Sequence, residues 1–63
     1  MKLTIQHFHD DDSFSVLLCG VWLSHADERD EAVADARFVI SAYRNGAGWA
    51  RAEFPELARV LFD

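Results

Sequence analysis

Polar and apolar residues alternate across residues 2–9, with Leu3 and Ile5 on one side and Thr4 and Gln6 on the other. That two-residue period is the signature of a strand with one covered face. Asp10, Asp11, Asp12 and Ser13 follow as a solvated turn. Residues 14–23, FSVLLCGVWL, then form an apolar run suited to a buried strand, and Gly20 within it marks a bulge, a bend or a break into two strands. A meander of two or three antiparallel strands is predicted.

The period then changes. Across residues 26–44, ADERDEAVADARFVISAYR, a rotation of about 100° per residue gathers Ala32, Val33, Ala36, Val39, Ile40 and Tyr43 on one stripe, as on a helix packed against a sheet. Ser24 or Asp27 is placed to cap its start, and the Asp and Glu residues of its first turns complement the positive end of the helix dipole. Phe38 falls on the opposite side with Glu31, Ala34, Asp35, Ser41 and Ala42, and so needs either a cover, from Leu57, Leu61 and Phe62 folding back over it, or a partner. Asn45 or Gly46 suits the left-handed position that ends a helix.

Residues 49–54 read as a short strand or an extended loop. Pro55 turns Phe54 away from helix and opens a last helical segment, PELARVLF, with Phe54, Leu57, Ala58 and Leu61 on one face. The predicted architecture is α+β in two layers: an antiparallel sheet of two or three strands packed against one main helix, plus a short C-terminal helix. No linker or repeat divides residues 1–63, which are expected to form a single domain.

A domain of 63 residues buries only about 60% of the surface of its unfolded chain, so stability is marginal and a homodimer is one way to add to it. Hydrophobic residues at 51% nevertheless suffice for a compact core. Trp22 and Trp49 are expected in that core or at its edge. Cys19, the one cysteine, has no disulfide partner within the chain and is expected as a buried thiol in a reducing compartment. Neither a secretory signal nor an apolar run of the roughly 20 residues needed to span a bilayer is present. The expected location is the cytoplasm of a bacterial host cell.

Charge is distributed unevenly behind the net value of −5. Residues 1–35 carry eight acids against Lys2 and Arg29, whereas residues 36–63 carry three acids against four arginines. An acidic first half repels phosphate and disfavours direct nucleic-acid binding. His7 and His9 share a strand face beside Asp10, Asp11 and Asp12, but two histidines fall short of the four placed ligands of structural zinc, so neither metal nor cofactor is expected. No serine has a nucleophile-elbow context, and helical carboxylate pairs such as Asp27 with Glu31 or Glu31 with Asp35 need an enclosing pocket to act as acid and base. The chain is therefore not expected to be an enzyme. The better candidate is a protein-binding surface made of Asp10, Asp11, Asp12, Asp27, Glu28, Asp30, Glu31 and Asp35, with Phe38 as an aromatic anchor ringed by charge.

The order of strands and helix, with Glu31-Ala32, Ala36-Arg37 and Ile40 in the helix, resembles the N-terminal β-β-β-α unit of HicB-type antitoxins. That resemblance implies a regulatory module neutralising a small basic toxin, with DNA contact left to another protein. In size, acidity and clustered carboxylates the chain also resembles small phage-made inhibitors, anti-CRISPR proteins among them, which act as nucleic-acid mimics. This second resemblance implies an inhibitor docking on a basic, nucleic-acid-handling protein or defence complex, without membrane or direct nucleic-acid contact.

Overall fold

The structure is a computed structural model that describes residues 3–61. Three strands, β1 (Leu3–Phe8), β2 (Ser13–Leu18) and β3 (Val21–Ala26), form an antiparallel sheet in the order β1-β2-β3. The helix α1 (Arg29–Arg44) crosses one face of it, and two short helices follow, α2 (Gly48–Glu53) and α3 (Leu57–Leu61). The expected α+β arrangement is present, with three strands rather than two.

Gly20 resolves as the break between strands. Cys19 and Gly20 take φ of 49° and 84°, so both central residues of the two-residue β2–β3 turn are left-handed, the geometry that matches the right-handed twist of a hairpin. Glycine reaches that conformation without the Cβ penalty. The same turn lifts the Cys19 thiol out of the apolar run that surrounds it in sequence, and it is exposed rather than buried.

Register sets the two faces of the sheet. Leu3 lies opposite Leu18, Ile5 opposite Val16 and His7 opposite Phe14, and directly opposed residues share a face. Leu18 and Val16, both without exposed surface, identify this as the side under α1. On β3 the pairing slips between Val16 and Leu17, so that Leu23 is an extra residue and both Leu23 and Ser24 are buried.

Ser24 therefore belongs to a strand and does not cap the helix. Its hydroxyl donates to the Ala32 carbonyl at 2.6 Å, tying β3 to the underside of α1. Pairing of Ala26 with Phe14 carries β3 further than the sequence suggests, and α1 begins at Arg29 after an extended Glu28, with no side-chain cap from Asp27 or any other residue. The helical stripe is as predicted: Ala32, Ala36, Val39, Ile40 and Tyr43 are buried, with Val33 at its margin. Two alanines without exposed surface let the helix sit close to the sheet. Gly46, with φ of 84°, ends α1 in a Schellman motif: its N–H donates to the Tyr43 carbonyl, and that of Ala47 donates to Ala42. Asn45 stays right-handed.

Residues 49–53 are neither strand nor loop, since Gly48–Glu53 form α2, and only Phe54, which ends that helix, is irregular. A helix of six residues does not stand alone in water. This one is held by buried Ala50 and by Arg51, whose Nε donates to the Tyr43 carbonyl at 3.0 Å while its guanidinium lies 4.6 Å from the centre of the Tyr43 ring. The final helix spans Leu57 to Leu61 after a turn at Pro55 and Glu56. Leu57, without exposed surface, anchors it, Phe54 and Leu61 are half-buried, and Ala58 faces solvent rather than sharing their face. Burial of a side chain such as Leu18 or Leu57 stabilises the fold by about 1.5–3 kcal/mol.

Candidate functional site

The acidic residues reach one end of the sheet by two routes. Phe8 pairs with Ser13 and Phe14 pairs with Ala26, so the β1–β2 turn and the β3–α1 junction emerge at the same end. Asp10, Asp11, Asp12, Asp27 and Glu28 lie there, all exposed, and α1 carries Asp30, Glu31 and Asp35 away from it.

The turn is internally organised. Asp12 takes a left-handed φ of 55°, and its carboxylate meets His7 Nε2 at 2.8 Å. The Asp11 carboxylate accepts a hydrogen bond from the Ser13 hydroxyl at 2.6 Å, which holds its pKa below the ordinary 3.8, with a smaller contribution from nearby His25. His7 also stacks on Phe14, with ring centres 4.5 Å apart, and sits 4.3 Å from the His9 ring. Among the described residues no group of three side chains is placed to hold a metal ion.

Along α1 the acids separate. Glu31, Asp35 and Phe38 occupy the flank turned away from β1. Asp30 instead shares a shallow cleft with Arg29, Val33, Ala34 and Arg37, and its carboxylate is 4.0 Å from the Arg29 guanidinium. Arg37 continues into a second cleft, about 390 Å³ in volume, between β1 and α1, lined by Leu3, Ile40, Ser41, Arg44 and Asn45. Charge on the helix is thus divided lengthwise, with Arg29, Arg37 and Arg44 on the side towards β1. Their spacings of eight and seven residues, each close to two helical turns, are the signal in the sequence that sets them on one side. Among the described residues, Glu31 and Asp35 form no ion pair with an arginine.

Phe38 is 65% exposed and stacks on Trp49 of α2, with ring centres 5.8 Å apart and the planes 18° apart. Phe62, expected with Leu57 and Leu61 as a cover for Phe38, lies outside the described residues. Trp49 at 43% and Trp22 at 56% exposure are surface residues, not members of the core. Trp22 stands on the open face of the sheet, which it shares by register with Thr4, Gln6, Phe8, Ser15, Leu17 and His25. Ser15 Oγ and His25 Nδ1 are 2.8 Å apart on that face, but Ser15 is 2% exposed and its hydroxyl is out of reach of a substrate.

Among the described residues no helix is long and apolar enough to cross a membrane. Fold and surface together define a small two-layer α+β protein with a strongly acidic end. Comparison with protein-family models, with curated proteins and with solved structures returns no match.

Proposed function

We propose that this protein is a small acidic inhibitory binding protein that docks on a basic, nucleic-acid-handling protein or defence complex and blocks its nucleic-acid site. The observation that carries this reading is the convergence of the Asp10–Asp12 turn and the start of α1 at one end of the sheet, continued along α1 by Glu31 and Asp35. Carboxylates presented in this way steer encounter with Lys and Arg and compete there with phosphate. Exposed Phe38, stacked on Trp49, adds a rigid aromatic anchor beside them.

The test is capture from a bacterial lysate with the wild type and with a Glu31→Lys, Asp35→Lys variant, followed by competition of the captured protein with DNA or RNA. The expected result is a partner held by the wild type, lost with the variant and at raised salt, and displaced by nucleic acid. A partner retained equally by both proteins, or indifferent to nucleic acid, overturns the reading. The β-β-β-α order of residues 3–44 favours a second reading, a HicB-like module that neutralises a small basic toxin; its partner is a cognate toxin whose catalytic activity is restored by the same variant.

A further inference from the structure

We propose that two copies of this chain join through the free edges of their β1 strands to form one six-stranded sheet. A sheet ordered β1-β2-β3 leaves two edges, and they are not equivalent. The β3 edge carries the Leu23 bulge, a device that twists an edge away from further pairing. The β1 edge, LTIQHF, has no bulge, proline, lysine or carboxylate to discourage a neighbour. Its inward residues Leu3 and Ile5 are only half-buried, so the apolar layer is unfinished on this side.

Charge selects a second copy as the occupant. An antiparallel pairing centred on Gln6 keeps both α1 helices on one face of the joined sheet, because it sets residues of like parity opposite one another, Thr4 against the partner's Phe8. It also carries each acidic turn past the start of the other strand. There the cleft between β1 and α1 presents Arg37 and Arg44 beside Leu3 and Ile40. The partner's acidic turn, residues 10–12, is brought to the end of the strand where that cleft lies, and the twofold axis repeats the match at the opposite end. Glu31, Asp35 and Phe38 lie on the far flank of α1, so the dimer leaves them open to the basic partner proposed above.

The test needs no second protein and is independent of the docking reading. In sedimentation equilibrium at about 100 µM the chain is expected at twice its 7.2 kDa mass. Hydrogen exchange is then expected to protect every amide from residue 3 to residue 8. Arg37→Glu with Arg44→Glu should raise the dimer dissociation constant at least about tenfold, and adding Asp10→Lys should restore much of the loss. Trp22→Ser, on the open face, should leave the mass unchanged. A monomer at 100 µM, or alternate β1 amides exchanging freely, overturns the proposal. So does a dimer that Trp22→Ser dissolves and the arginine reversals do not. Circular dichroism verifies that each variant is folded.

Discussion

Ser24 offers a test in which two readings of the same residue predict opposite results. As an N-cap, Ser24 is replaceable by Asp at little or no cost, since the two rank together at that position. In the structure Ser24 is 7% exposed and donates its hydroxyl proton to the Ala32 carbonyl at 2.6 Å. An aspartate there has no proton to donate above its pKa, and it places a desolvated carboxylate against a carbonyl oxygen. The cost of such a group is several kcal/mol, whereas a domain of this length has a total stability of about 3–9 kcal/mol. Ser24→Asp should therefore leave much of the protein unfolded at neutral pH. Ser24→Ala loses only the hydrogen bond, about 1 kcal/mol, or a fall of about 4–8 °C in Tm. The aspartate variant has a further signature. Burial raises its folded-state pKa above the unfolded value of about 3.9, so its penalty is full at neutral pH and disappears as pH falls to that value and the protonated carboxyl becomes a donor. Urea denaturation of wild type, Ser24→Ala and Ser24→Asp at pH 7 and pH 4 measures all of this. A Ser24→Asp protein as stable as wild type at pH 7 would refute the placement of Ser24 beneath α1.

The remaining predictions concern the two hairpin turns. Cys19→Asn should be neutral or stabilising by a few tenths of a kcal/mol, because asparagine suits a left-handed φ, and Gly20→Ala should cost about 1 kcal/mol. Native Cys19 should also react with a thiol reagent at the rate of an unfolded control, and protection of the thiol would contradict its exposure. Ser13→Ala removes the donor that lowers the Asp11 pKa, which should rise towards 3.8 in a carboxyl-carbon NMR titration. The sign follows: a depressed folded-state pKa contributes stability above the unfolded value and loses it as pH falls through the folded one, so Ser13→Ala should narrow the pH dependence of stability below pH 4.

Sequence alone determined what is local or periodic. Leu3 and Ile5 on one face of β1, the Ala32, Ala36, Val39, Ile40 and Tyr43 stripe, and the end of α1 at Asn45 or Gly46 were all legible, because each depends on a fixed period or on a φ that few residues adopt. The Asp10–Asp12 turn and the acidic start of the helix were legible for the same reason, being runs within the chain. Tertiary structure decided whatever depends on a distant neighbour. Pairing with Phe14 drew Ala26 into β3 and, with it, Ser24 beneath α1, although its local surroundings suit a cap equally well. The two-residue turn took Cys19 to the surface from the middle of an apolar run. Contact with Tyr43 made a helix of residues too few to hold one by themselves, and brought Trp49 over Phe38. The lengthwise division of charge on α1 became evident only once β1 marked one flank as its own, because a period places residues around an axis and only packing says which way that axis faces.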